Sequence, residues 1–183
     1  MIGASIGGVR AISTILGTLD HTWTEPIAIV MHRAKDSEDI LTVVLQARSV
    51  LPVVEVVDKD PIQPGTVYVA PPDYHLLIDQ GCLSLSVEAP VNYARPSIDV
   101  LFESAAFTLG KKATAIALTG SSADGAAGAA AIAARGGRVI VQELETAESP
   151  VLPRAVLGRV PSAHVLTLES MIPFLKQPRR AHN

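Results

Sequence analysis

Short, nearly unbroken apolar runs alternate along this chain with segments whose apolar residues recur every three or four positions. The runs lie at residues 26–31 (PIAIVM), 113–118 (ATAIAL), 138–141 (RVIV) and 164–168 (HVLTL). Their apolar character is continuous instead of alternating, so they read as strands buried on both faces, as in a parallel sheet. Helical spacing covers residues 8–16, 36–47, 97–109 and 126–134. Asp36 or Ser37 can cap the second of these, and Gly110, Gly136 and Gly137 stand where helices end. Such alternation predicts an α/β fold, a doubly wound and mostly parallel sheet with helices on both faces.

The middle of the chain departs from this rhythm. Residues 66–70 (TVYVA), 75–79 (HLLID) and 82–87 (CLSLSV) are separated by Pro71-Pro72-Asp73 and by Gln80-Gly81. They predict an antiparallel hairpin excursion with Gln80-Gly81 as its turn. Only Met1 and Ile2 precede Gly3, where a central strand usually needs ~5 residues, so the first strand is either stunted or trimmed. Residues 176–183 are polar and basic with no structural signal, and are expected to form a flexible tail. No internal repeat or linker divides the rest, which predicts one domain over residues 1–175.

Composition narrows the classes. Of 183 residues, 48% are hydrophobic and 18% charged, enough apolar material for a sizeable core and too much for a disordered chain. No apolar run approaches the ~18–20 residues of a spanning helix, so no membrane insertion is expected. A net charge of −3 argues against a surface that neutralises nucleic-acid phosphates. The single cysteine, Cys82, cannot form an intrachain disulfide and suits a reducing, cytoplasmic setting. His21, His32, His75, His164 and His182 are scattered with no pair at metal-ligand spacing, so no metal is expected. The opening MIGASIGG has neither the basic flank nor the apolar core of a signal peptide.

In an open parallel sheet the functional crevice lies beyond the carboxyl ends of the strands, which directs attention to polar residues just after each apolar run. Ser5, in GASIGG, stands in a glycine-rich turn before a helix, where a hydroxyl can be exposed and helix N–H groups can meet an oxyanion. His32 directly follows PIAIVM and can act as a general base. Asp124 follows ATAIAL in TGSSADG and can hold an imidazole in the useful tautomer. Each has a plainer reading taken alone: a tight turn, an ordinary strand-end histidine, and an N-cap for the helix from 125 onward. Together they supply the parts of a nucleophilic hydrolase, in the chain order Ser, His, Asp.

Nearly the whole chain resembles the catalytic domain of CheB-type protein-glutamate methylesterases of bacterial chemosensory systems. The resemblance rests on GASIGG (3–8), PIAIVMH (26–32), VYVAPPDYHLLI (67–78), RPSIDVLFESAA (95–106), LTGSSADGAAG (118–128) and VLPRAV (151–156), in order. It implies a serine hydrolase that removes methyl esters from glutamate side chains on cytoplasmic helices of methylated chemoreceptors, extending to deamidation of receptor glutamines. Position by position it implies Ser5 as nucleophile, His32 as base and Asp124 as orienting acid, with Ile6 and Ser121 beside the oxyanion. No cofactor is implied. The family often carries a receiver domain that inhibits the esterase until phosphorylated; none precedes Met1, so a receiver domain acting in trans is a candidate partner.

Two positions depart from the family pattern. Ile6 stands where threonine is usual, and Ser121-Ser122 replace Met-Gly in the usual Gly-Met-Gly before the aspartate. These departures leave open a catalytically impaired binding module of the same fold. A nucleotide-binding oxidoreductase is a further alternative, because residues 117–141 read as a strand, glycine-containing loop, helix and strand. That unit normally opens its domain, and the downstream Tyr-x-x-x-Lys pair is missing here.

Overall fold

The computed structural model describes residues 1–33 and 40–177. In order, these form β1 (Ile2–Ala4), α1 (Gly8–Leu16), β2 (Ile27–Met31), α2 (Leu41–Gln46), β3 (Val53–Glu55), β4 (Asp60–Pro61), β5 (Val67–Val69), β6 (His75–Asp79) and β7 (Cys82–Ser86). There follow α3 (Ile98–Leu109), β8 (Thr114–Ala117), α4 (Ala126–Ala134), β9 (Arg138–Gln142), α5 (Val151–Arg159), β10 (His164–Leu166) and α6 (Leu168–Leu175). Seven strands make one parallel sheet in the order β10-β9-β8-β1-β2-β5-β3, and β4-β7-β6 make a small antiparallel sheet.

The continuous apolar runs are explained by burial on two faces. Along β2, Ala28 and Val30 face one core while Ile27 and Ile29 face the other. The first core is closed by α3, α4 and α5 through Ile98, Phe102, Ile132 and Leu152, and the small sheet adds Leu76 and Leu83. The second is closed by α1, α2 and α6 through Ile12, Ile15, Leu45 and Met171. A buried leucine or isoleucine contributes about 1.5–3 kcal/mol, so both helical layers are held by apolar area.

The strand order fixes where a site can form. From β1 the chain passes to β2, out to the edge strand β3 and back to β5 between them, then returns across the small sheet and α3 to place β8 on the other side of β1. The direction of winding therefore reverses between β1 and β8, and a crevice opens beyond their carboxyl ends.

The parallel sheet, the helical layers and the β6–β7 hairpin agree with the sequence expectation. At the hairpin turn Gln80 and Gly81 both have positive φ, 41° and 90°. Several boundaries differ. The run at 66–70 joins the parallel sheet as β5, paired with β2 and β3, and not the antiparallel excursion. The run at 164–168 is a strand only to Leu166; extended Thr167 caps α6 instead. Strand β1 is short as expected, three residues, and runs through Gly3 by pairing with Val30 and Ala117; Gly3 packs directly against α3, where a Cβ would lie 2.3 Å from Ile98 Cγ2. The expected cap at Asp36 or Ser37 and the first residues of the helix at 36–47 lie outside the described residues. Of the expected tail, Lys176 is the C-cap of α6, and its Nζ lies 2.6 Å from Asp20 Oδ2.

Candidate active site

The crevice is assembled from three strand ends. Ala4 of β1 is in register with Met31 of β2, so Ser5 and His32 leave adjacent parallel strands side by side, on strands about 4.8 Å apart. The His32 amide donates to Ala4 O at 3.0 Å and the Ser5 amide to Thr119 O at 3.0 Å, which ties both to the sheet. Gly8 N–H bonds Ser5 O at 2.8 Å and closes the turn into α1, with Gly7 at φ 75°. That left-handed conformation suits glycine. Thr119 Oγ1 donates to Ile6 O at 2.8 Å, so the loop after β8 also holds the Ser5 turn.

Asp124 is fully buried, and five donors converge on its carboxylate. Oδ2 accepts from His32 Nε2 and from the Ile98 amide, each at 2.7 Å. Oδ1 accepts from Ser97 Oγ at 2.7 Å, and from Asn92 Nδ2 and the Asp99 amide, each at 3.2 Å. The carboxylate thus lies at the N-terminus of α3, where the helix dipole favours negative charge. Burial alone would raise its pKa, but hydrogen bonds from His32, Ser97, Ile98 and Asn92 outweigh burial and hold the carboxyl below its ordinary value. Asp124 does not cap its own helix; Gly125 is the N-cap of α4, which has no side-chain cap.

His32, Asp124 and Ser5 are therefore gathered at one rim, with different contacts. The imidazole and the carboxylate are hydrogen-bonded. Among the described residues the Ser5 hydroxyl makes no hydrogen bond, including to His32, and in unliganded enzymes such contacts often tighten only once substrate binds. Ile6 is half-exposed and Ser121 exposed beside the Ser5 turn. Neither backbone N–H has an acceptor among the described residues. A groove lined by His32, Arg33, Asn92, Tyr93, Arg95 and Ser122 opens onto this rim.

Sequence reasoning assigned no chemistry to several residues that shape the site. Ser97 is the N-cap of α3 and donates directly to Asp124. Its position just before an apolar-periodic run is a readable capping signal. Buried His75 supports it: Nδ1 accepts from the Ser97 amide at 3.2 Å, while Nε2 lies 3.1 Å from Ala89 O. Asn92 and Asp99 also reach the carboxylate, and no periodic or motif signal marks Asn92. The loop before α4, which suggested a nucleotide cradle, is closed off by α3: a Cβ on Gly125 would lie 2.6 Å from Ile98 Cγ2.

Fold and rim define an α/β protein whose central strands deliver serine, histidine and aspartate to one switch-point crevice. A profile of the family described as CheB methylesterase matches residues 1–175. The chain belongs to that family. It is 40% identical over 172 residues to a Leptospira interrogans protein provisionally described as protein-glutamate methylesterase/protein-glutamine glutaminase, covering 93% of this chain and 89% of that one. A Caulobacter vibrioides protein-glutamate methylesterase/protein-glutamine glutaminase is 34% identical over 186 residues; the match covers 99% of this chain and 54% of that protein. The crystal structure of the Thermotoga maritima CheB methylesterase catalytic domain superposes with a TM-score of 0.90 at 31% identity, covering 95% of this chain and 94% of that one.

Proposed function

We propose that this protein hydrolyses the γ-methyl esters of glutamate side chains on cytoplasmic helices of chemoreceptors, with Ser5 as nucleophile, His32 as base and Asp124 as the acid that orients it. The observation that carries this reading is the 2.7 Å contact between His32 Nε2 and the buried Asp124 carboxylate, on the strand next to Ser5. With Nε2–H committed to Asp124, Nδ1 is the nitrogen left to accept a proton. His32 takes the Ser5 proton as Oγ attacks the ester carbonyl carbon and the carbonyl oxygen becomes an oxyanion. The N–H groups of Ile6 and Ser121 are the candidate donors to that oxyanion, each worth about 3 kcal/mol in comparable sites. The tetrahedral intermediate collapses, methanol leaves with the proton held by His32, and an acyl-Ser5 ester remains. Water, deprotonated by His32, then attacks the acyl carbon, and Oγ leaves with that proton to release the glutamic acid side chain, which gives its remaining proton to solvent.

The same steps on a glutamine side chain release ammonia, which accounts for a paired glutaminase activity. The main-chain N–H of residue 6 is available whatever its side chain, so Ile6 in place of threonine leaves that donor in position. Among the described residues no helix is long and apolar enough to cross a membrane, and a cytoplasmic site of action follows from the receptor face it would serve. A receiver domain in trans is the proposed regulator. The test is methanol release from methylated receptor by the parent and by Ser5→Ala. A loss of about 10³-fold or more is expected; equal rates of release would overturn the assignment of Ser5, and no release by the parent would leave a binding module.

A further inference from the structure

Asn92 lies outside the three side chains just assigned, yet among the described residues its carboxamide is the one group that touches both buried carboxylates of the site. Nδ2 donates to Asp99 Oδ2 at 2.8 Å and to Asp124 Oδ1 at 3.2 Å. Asp99 is buried on the first turn of α3, and its other oxygen accepts from the Gly128 amide at 2.7 Å. Asn92 itself is exposed and lines the same groove as His32. The loop turns tightly at this point. Asn92 and Tyr93 both have positive φ, 51° and 63°, between the mutually bonded Val91 and Ala94. Positive φ at both central residues between mutually bonded flanks is the pattern of a two-residue hairpin turn, which favours asparagine at its first position, whereas a tyrosine at positive φ is uncommon. Tyr93 gains nothing by packing, since it is fully exposed.

We propose that Asn92 is a positioning residue for ester hydrolysis: its amide stands between Asp99 and Asp124 and lets both remain separate carboxylates, so that Asp124 keeps the orientation that aligns His32. This rests on the functional reading above. The physical need is plain. Two like charges at a shared buried site drive one of them to bind a proton, and a donor placed between them opposes that drive. Burial pushes the Asp99 carboxyl above its ordinary range, the Gly128 amide opposing and the Asp124 charge adding to the rise. The charged groups around the amide are His32 and Arg33 after β2, Asp73 and Arg95 on the groove wall, Asp99 and Glu103 on α3, and Asp124.

Two variants separate this role from a structural one. Asn92→Asp keeps the shape and tolerates positive φ, but replaces the donor by a third carboxylate. Asn92→Gly keeps the backbone freedom and removes the amide. Rates are measured as methanol released from a helical peptide carrying a glutamate γ-methyl ester, across pH, beside Ser5→Ala and thermal unfolding. Asn92→Asp is expected to lower kcat/KM at neutral pH at least about 10-fold and move the acid limb of the profile up by about 0.5–1 unit, the size of an added charge at this range. Asn92→Gly is expected to lose about 3–10-fold, the loss of one hydrogen bond to a charged group, with a smaller shift in the same direction. If both variants keep the parent's acid limb within about 0.2 unit while Ser5→Ala is dead, the inference is overturned and the triad stands. If Ser5→Ala retains activity, the functional reading itself has failed.

Discussion

Replacing Asp124 by asparagine keeps the volume of the side chain and removes one charge, and the hydrogen bonds around it allow the cost to be worked out. Nitrogen at the Oδ2 position would face the Ile98 N–H; nitrogen at the Oδ1 position would face the Asp99 N–H. Either way one buried backbone donor loses its acceptor, at about 1–3 kcal/mol. For a domain of this size that is a fall in Tm of a few to about 10 °C. The effect on turnover is larger. An imidazolium about 4 Å from a carboxylate gains about 4 kcal/mol at an effective dielectric near 20, a factor of about 10³ in rate. Where the asparagine nitrogen donates to Nε2, the tautomer is inverted and Nδ1 can no longer take the Ser5 proton, which brings the expected loss toward 10⁴. The assay is kcat/KM for methanol release beside thermal unfolding of the same preparation. A variant that retains more than a tenth of parental kcat/KM while folded would refute the reasoning.

Acid stability and core packing give two further expectations. Asp124 has a depressed folded pKa, so its carboxylate stabilises the fold above its unfolded value of about 3.9; that contribution is lost as pH falls through the folded value. Urea unfolding from about pH 5 to pH 2.5 is therefore expected to show a steeper loss for the parent than for Asp124→Asn, and parallel slopes would contradict this. Gly3→Ala puts a Cβ 2.3 Å from Ile98 Cγ2, an overpacking of about 1–3 kcal/mol. Because the Ile98 amide also holds Asp124, both Tm and kcat are expected to fall; calorimetry with steady-state kinetics checks the pair, and a change confined to Tm would break the link.

What could be read from the residues follows from how local each signal is. The runs at 26–31 and 113–118 announce strands buried on two faces, and α1, α3 and α4 lie within a residue of their expected spans, because burial imposes a period on the sequence. Helix α5 gives a weaker signal, since Pro150 is its N-cap and Pro153 lies in its first turn. Helix α6 contains Pro173, and its extended cap Thr167 prolongs the apolar look of β10. Strand β3 is three residues long and pairs at an edge, too short to show a period. At the rim, Ser5 and His32 directly follow strands β1 and β2, and Asp124 lies in the loop between β8 and α4, which makes all three readable as candidates. Asp124 also carries a convincing local reading as a cap, and the approach of α3, His32 and Asn92, from separate parts of the chain, gives its carboxylate another occupation. Asn92 enters through a turn whose partners are distant carboxylates, a relation that no local pattern encodes.

The place of β1 in the middle of the sheet bears on how the protein is made. Ile2 pairs with Ile29 on one side and with Ile116 on the other. During synthesis one flank of this strand waits for more than a hundred further residues, and closing so long a loop costs about 4 kcal/mol of chain entropy before any contact rewards it. Folding dominated by such distant pairings is slow. The serine turn that β1 leads into acquires its anchor at Thr119 only after that wait, so hydrolytic competence arrives with the completed sheet and not piecemeal with the emerging chain.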